Sequence, residues 1–534
     1  NAKWNLNIMS IQTMKKLGIN KKIFLSIFFI FLTIFVFSSD AHRYSGDEDW
    51  QNLQAIRIVT LEPHPLYVDE ESRGRFEYPV SYPPAWQGQT CYNYIMCSPA
   101  RIGASVTEVP FLFINHNFPI ITEDSVTWTI DDFQDLHYVN WRNGINPDFT
   151  FLELFYGPVF SALSVSVFFL ICRSFNYEIR TSIILTLLLG LTTTIWAYSQ
   201  TTLNSVPMVF LVLLGFYFFR RFQKNDSPVN LIFCGMCLGF GFMVREDIAM
   251  IIIVLFGFFI YNLRKRDGKI KKFLCYLVPQ IIIYVFFKTL HHIGSGGVGQ
   301  FIDDPKNLAL ISQPEVTVET TLHGMSGLLI SPGAGLLIFV PILFTMFLAF
   351  PDFFKKHKPE TVFILCLTAY YVFQMGSFEH WHGMVSWGAR YLLPCIPFLL
   401  LPLGASIESR KGKKLMIIIL ILGGLGVLNN LAYLAQDVSW FVWAKAGHEL
   451  GLYSLGGVMT PLYIHTATLW TFEYSQLTNS IMLFFTGFFP DIFLLKLMGS
   501  GIFAVTIFSL LLGQGYFLYR ILNRYKSSKL ELSE

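Results

Sequence analysis

Lys21-Lys22-Ile23-Phe24-Leu25-Ser26-Ile27-Phe28-Phe29-Ile30-Phe31-Leu32-Thr33-Ile34-Phe35-Val36-Phe37-Ser38 puts two lysines in front of an uncharged run. An apolar run of this length behind a charged patch reads as a helix built to enter a bilayer. Lys15, Lys16, Lys21 and Lys22 ahead of it also resemble the charged region of a signal peptide. No small-residue cleavage site follows, so a retained signal anchor is expected. The sequence as given starts at Asn1, with Met9 and Met14 as candidate initiators.

The rest of the chain repeats this pattern. Of 534 residues, 53% are hydrophobic and 14% charged, with 53 phenylalanines; mean hydropathy is +0.49. Soluble domains carry about 25% charged residues, so a water-soluble multidomain enzyme is excluded. Further spans are expected at Phe151–Cys172, Thr181–Tyr198, Val206–Phe219, Val229–Met243, Ile248–Tyr261, Phe273–His292, Leu328–Phe350, Thr361–Met375, Tyr391–Ser406, Leu415–Leu434 and Gly499–Tyr519. The expected fold is therefore an all-α polytopic membrane protein of about twelve transmembrane helices.

Charge sets the expected orientation. Alternate junctions carry Arg173 and Arg180; Arg220, Arg221 and Lys224; Arg264, Lys265, Arg266, Lys269, Lys271 and Lys272; Lys355, Lys356 and Lys358; Arg410, Lys411, Lys413 and Lys414; and Arg520, Arg524 and Lys526. By the positive-inside rule these are cytoplasmic, as are both termini. The opposite, extracytoplasmic face then holds two long loops, 40–150 and 436–500. The first is expected to form short interfacial helices, and the second, with Trp440, Phe441 and Trp443, is assigned no chemistry. The organisation expected is 1–22 cytoplasmic, 23–435 a transmembrane catalytic unit including loop 40–150, 436–500 an outer loop, and 501–534 a last span with its tail. The net charge of +3 is spread over many loops, which excludes the concentrated basic face that nucleic acid requires.

Chemistry-bearing residues gather on the outer side. Asp47, Glu48 and Asp49 follow directly after the first span, where a carboxylate can act as a general base or oppose positive charge on a sugar ring; an ordinary solvated acidic turn is the plain alternative. Arg245, in Val244-Arg245-Glu246-Asp247, either pairs with its acidic neighbours or grips phosphate with its planar guanidinium. Phe378-Glu379-His380-Trp381-His382-Gly383-Met384-Val385-Ser386-Trp387-Gly388-Ala389-Arg390 sets Arg390 beside His380 and His382. Lys288, with His291 and His292 beyond it, is a weaker member. Asp131 and Asp132, with Asp135, could supply a second acid or bind a cation, against the plain reading of a solvated helix start. A metal is left open, a divalent cation included. Cys91 and Cys97 could close a small disulfide in an oxidising compartment, whereas Cys234 and Cys237 are read as packing residues. No Gly-rich phosphate loop, nucleophile elbow or zinc-ligand cluster is present in the sequence.

Gly46-Asp47-Glu48, the Arg245 junction, Ser331-Pro332-Gly333-Ala334-Gly335-Leu336 and Ser386-Trp387-Gly388-Ala389-Arg390-Tyr391-Leu392-Leu393-Pro394 together resemble the GT-C superfamily of integral-membrane glycosyltransferases. The likeness is to phospholipid-carrier-dependent members akin to protein O-mannosyltransferases and the aminoarabinose transferase of lipid A, and extends from the first span through about the tenth. It implies a catalytic base at Asp47 or Glu48 and carrier-phosphate contacts from Arg245 and Arg390 with Lys288 and His380 behind them; from the loop residues themselves, Asp49, Asp131 and Asp132 are candidates for acceptor contacts or a second acid. The family often has Pro or Tyr after the acidic pair, where this chain has Asp49 and Trp50. It commonly has Arg after Ser-Pro-Gly, where this chain has Ala334. The partners implied are a polyprenyl- or dolichyl-phosphate sugar, a protein, lipid or glycan acceptor, and the bilayer of the cell membrane. Alternatives are a lipid-linked-sugar flippase or membrane transporter, and a polysaccharide polymerase or ligase.

Overall fold

A computed structural model describes residues 2–41, 46–61, 67–68, 89–91, 95–97, 102–122, 147–294, 317–378, 381–383, 386–409, 412–435, 467–486 and 492–530. Among the described residues seven helices are long and apolar enough to cross a membrane: Gly18–Phe37, Thr150–Ser174, Ser205–Asn225, Lys269–Leu290, Arg390–Ile407, Lys414–Leu434 and Ser500–Ser527. Three shorter apolar helices, Ile179–Thr192, Pro228–Val244 and Ile248–Leu263, lie among them. The chain is a polytopic membrane protein.

The first helix, α1 (Ala2–Phe37), leads to α2 (Gly46–Val59), a small antiparallel sheet of β1 (Tyr67–Val68), β2 (Gln89–Cys91) and β3 (Ile95–Cys97), and α3 (Ile102–Asn117). The sheet order is β1-β3-β2, with Gln89 opposite Cys97. The segment between α1 and α4 thus carries strands as well as the expected helices. The two helices pack on each other, and α3 packs on α4 (Pro147–Ser174). At the centre, α4 also lies against α1, α5 (Ile179–Thr192) and α7 (Ser205–Asn225). The short α6 (Ile195–Tyr198) follows α5, and α8 (Pro228–Val244), α9 (Ile248–Leu263) and α10 (Lys269–Gly294) follow α7. Stacked aromatics fill the seams: Phe363 lies 5.3 Å from Phe216 and 5.4 Å from Phe258.

Three expected spans are interrupted or change helix type along their length. Residues 328–350 divide into α11 (Val318–Ile330), a turn at 331–335, α12 (Leu336–Phe339), a 3₁₀ segment (Pro341–Thr345) and α13 (Met346–Lys356). Pro332 and Pro341 cannot donate to a helical ladder, and each stands just after a break. Residues 391–406 begin as a 3₁₀ turn (Arg390–Cys395) and continue as α15 (Ile396–Leu400) and α16 (Leu403–Ile407), with Pro394, Pro397 and Pro402 along the way. Between these segments lies α14 (Lys358–Gly376). The span expected at Thr181–Tyr198 likewise breaks at Thr193.

Breaks inside a membrane expose carbonyls that water cannot reach. Adjacent asparagines on α17 (Gly412–Ala435) cover four of them. Asn430 Nδ2 donates to the carbonyls of Leu191 (3.2 Å) and Thr193 (3.1 Å), and Asn429 Nδ2 to those of Ile338 and Phe339 (both 3.3 Å). The Tyr177 hydroxyl donates to Leu401 O at 3.1 Å, before Pro402. These donors allow broken helices in an apolar bundle.

The two ends of the bundle differ. At one, Arg220 pairs with Glu360, and Asp226 receives Arg266 and Lys272; these belong to the basic clusters. At the other lie α2, α3 and the turns that carry Arg245 and Arg390. The C-terminal elements are α18 (Gln476–Thr486), α19 (Phe493–Met498) and α20 (Ser500–Leu530), the last of which lies along α1.

Candidate functional site

Helix α2 is short and polar, yet Glu48, Gln51, Asn52 and Ala55, at the i, i+3, i+4, i+7 spacing of one face, are all buried. A polar face can be buried only if its groups are bonded, and this one is. Glu48 is 0% exposed, and its Oε1 accepts from the Thr202 backbone N–H at 2.8 Å and the Thr202 hydroxyl at 3.3 Å. Gln51 Nε2 donates to Thr202 O at 3.1 Å and to Glu108 of α3. Asn52, with its amide nitrogen turned toward Glu108, donates to that carboxylate at 2.9 and 3.0 Å and to Glu48 O at 3.1 Å. Further along, Ser105 donates to Gln54 at 2.6 Å, and Thr107 pairs with the Tyr156 hydroxyl at 2.7 Å. Both polar groups of the Thr202 peptide are therefore held by α2.

Thr202 lies in the polar segment Ser199-Gln200-Thr201-Thr202-Leu203-Asn204, between α6 and α7. This segment runs directly against α4 at Gly157, where a Cβ would come 2.3 Å from Ser199 O and 2.6 Å from Thr201 O. Only glycine admits that approach.

Two residues beyond Thr202, Asn204 accepts from Arg245 Nη1 at 3.2 Å. Arg245 ends α8 in extended conformation, and its Nε donates to both Asp247 oxygens at 2.9 Å. Its guanidinium carbon lies 5.1 Å from the centre of the Tyr391 ring, and that of Arg390 lies 5.4 Å from the same centre. One aromatic ring thus brings together two arginines that are far apart in sequence. Tyr198, buried at the end of α6, lies in the field of both arginines and faces Ser386. The Asp247 carbonyl is fixed in turn by the Tyr371 hydroxyl at 3.0 Å.

Of the residues anticipated from sequence, Glu48, Arg245 and Arg390 come together through the 199–204 segment and Tyr391. Lys288 stands on α10 over the ring of Tyr284, 6.0 Å away. His382 is buried, and its carbonyl accepts from Ser386 Oγ at 3.2 Å. His380, Asp131 and Asp132, with Asp135, lie outside the described residues, as do the side chains of Asp47, Asp49, His291, His292, Cys91 and Cys97. Among the described residues no three His, Cys, Asp or Glu side chains converge as a metal site. The Cys234 and Cys237 thiols are free.

Sequence reasoning did not single out Thr202, Asn204, Gln51, Glu108 or Tyr391. A signal for the first two was present: 199–204 is a run of five polar residues in six, too many for an ordinary junction between apolar helices. Glu108 was also visible, as a lone acid in Val106-Thr107-Glu108-Val109-Pro110-Phe111-Leu112.

Residues 154–292 match the family described as dolichyl-phosphate-mannose-protein mannosyltransferase. The match supports a GT-C glycosyltransferase and takes in Tyr198, Thr202, Asn204, Arg245 and Asp247, but neither Glu48 nor Arg390. No curated protein matches the chain.

Proposed function

We propose that the protein transfers a sugar from a polyprenyl or dolichyl phosphate to an acceptor at the extracytoplasmic face of the cell membrane. The observation that carries this reading is the convergence of Arg245 and Arg390 on Tyr391, tied by Asn204 and Thr202 to the acidic helix after the first span. A lipid-carried donor keeps its chain among the helices and its phosphate at headgroup depth. A site for it needs guanidiniums and a carboxylate at one edge of the bundle, and no nucleotide fold.

In this mechanism Asp47 takes the acceptor proton. Glu48 is assigned a different task because its carboxylate is buried and engaged by Thr202: it anchors the helix whose first turn carries Asp47. The acceptor oxygen attacks the anomeric carbon as the bond to phosphate breaks, and configuration inverts. Positive charge on the ring is opposed by the first-loop acids, and negative charge on the departing phosphate by Arg245 and Arg390. Asp247 holds the Arg245 fork by Nε, orienting it before substrate arrives. Lys288 and His380 are assigned as further carrier-phosphate contacts, and Asp49, Asp131 and Asp132 as acceptor contacts or a second acid.

The test is reconstitution of purified protein in lipid with a mixed pool of polyprenyl-phosphate sugars and candidate acceptors. Labelled sugar appearing on an acceptor, with free carrier phosphate released, supports the reading. Donor crossing the bilayer with its sugar still attached contradicts it and makes the protein a flippase.

A further inference from the structure

The segment 467–486, within the loop 436–500 that is assigned no chemistry from sequence, is docked on the two turns that flank the candidate site. Gly333 N–H donates to Leu469 O at 3.0 Å, and Ser475 Oγ to Pro332 O at 2.6 Å. Trp470 Nε1 donates to His323 Nε2 on α11 at 3.1 Å. The contact is close enough that a Cβ on residue 333 would lie 2.2 Å from Thr468 O. The Gln476 side chain reaches both turns: its Nε2 donates to Gly333 O at 2.9 Å and to Ser386 O at 2.6 Å. Gln476 is the first residue of α18, so a helix terminus fixes its position.

Ser386 begins the stretch that ends in Arg390 and Tyr391, the pair on which the two guanidiniums converge. Its hydroxyl already holds His382 O. Its carbonyl is held by Gln476, so the hairpin is anchored from both the side chain and the backbone of one residue. We infer that Gln476 is a positioning residue for the carrier-phosphate site: it acts through Ser386 to set Arg390, and segment 467–486 is a strap that completes the site. The inference rests on the proposed glycosyl transfer, because it gives Arg390 a phosphate to bind. The hydroxyl of Ser475, the preceding residue on the same strap, donates to Pro332 O of the 331–335 turn and provides an internal control.

The experiment measures binding of a sugar-free polyprenyl phosphate to purified protein in detergent, together with thermal unfolding. Gln476→Ala is expected to weaken binding about tenfold, the worth of two lost hydrogen bonds, and Ser475→Ala to leave binding near wild type. In an Arg390→Ala background, Gln476→Ala is expected to weaken binding no further, because two residues acting as a unit are not additive. Gln476→Lys, which keeps an N–H donor for both carbonyls, is expected to recover part of the loss. Equal losses in the Gln476 and Ser475 variants, or full additivity with Arg390→Ala, would make the strap merely structural and overturn the inference. Failure of the wild type to bind any polyprenyl phosphate would instead overturn the proposed function, and this inference with it.

Discussion

At the scale of single residues, burial and hydrogen bonding separate roles that composition cannot. Asp47 and Glu48 are neighbours of the same charge, and sequence alone does not choose the base between them. Glu48 is fully buried and receives two hydrogen bonds from Thr202. Glu48→Gln removes the charge but keeps an oxygen acceptor; we expect transfer to persist at reduced rate. Glu48→Ala leaves the buried Thr202 N–H unpaired and should cost about 1–3 kcal/mol of stability, read as a lowered unfolding midpoint in detergent. Arg245→Lys is not conservative here, because a lysine cannot reproduce the fork that spans Asp247 and Asn204. It should lower carrier-phosphate affinity without greatly changing the midpoint.

A residue-scale pH effect belongs to the opposite end. His357 lies 5.1 Å from the Phe175 ring and 4.9 Å from that of Phe353. Burial holds its imidazole below the ordinary value; Glu360 opposes that shift, while Arg220 and Lys356 add to it. With a lowered folded-state pKa, the unfolded chain binds the proton more readily. The associated stability is complete above about pH 6.5 and is lost as pH falls through the folded value. The unfolding midpoint should therefore fall on acidification below that pH, and fall less in His357→Gln.

At the scale of elements, the lesson lies in where the helices stop. Hydropathy located the apolar runs, and α1, α4, α7, α8, α9, α10 and α17 lie within a few residues of expectation at most of their boundaries. Composition that is apolar throughout predicts single helices at 328–350 and 391–406. Pro332, Pro341, Pro394, Pro397 and Pro402 were legible as breakers. What was not legible is that Asn429, Asn430 and Tyr177, distant in sequence, cover the freed carbonyls and make the breaks tolerable. Asn430→Leu should be destabilising by about 1–3 kcal/mol despite being more apolar, since the Leu191 carbonyl loses the Asn430 donor and that of Thr193 keeps only the Trp196 N–H. Gly157→Ala should push the 199–204 segment away from α4. We expect it to weaken carrier-phosphate binding through Asn204 and Arg245, with both effects read on one purified preparation.

At the scale of the whole molecule, charge separates the two ends of the bundle. The basic junctions were plain in the sequence, because clustering of Lys and Arg needs no knowledge of packing. The site was only partly plain: Glu48, Arg245 and Arg390 could be named from their positions at span ends, but not Tyr391, Thr202 and Asn204, which join them across long separations. Sidedness is open to direct measurement. In a background with native cysteines replaced, Leu61→Cys beyond α2 and Lys265→Cys between α9 and α10, both at exposed positions, should react with an impermeant maleimide from opposite sides of intact cells or inverted vesicles. Labelling of both from the same side would contradict the topology on which the extracytoplasmic site depends.

The most direct test of the central claim is a single-turnover measurement of sugar transfer by Asp47→Asn, with binding of the polyprenyl-phosphate donor followed in the same sample. Loss of transfer by about 100-fold or more, typical of a removed general base, with donor binding retained, is the predicted result. Transfer at the wild-type rate by Asp47→Asn would contradict the account.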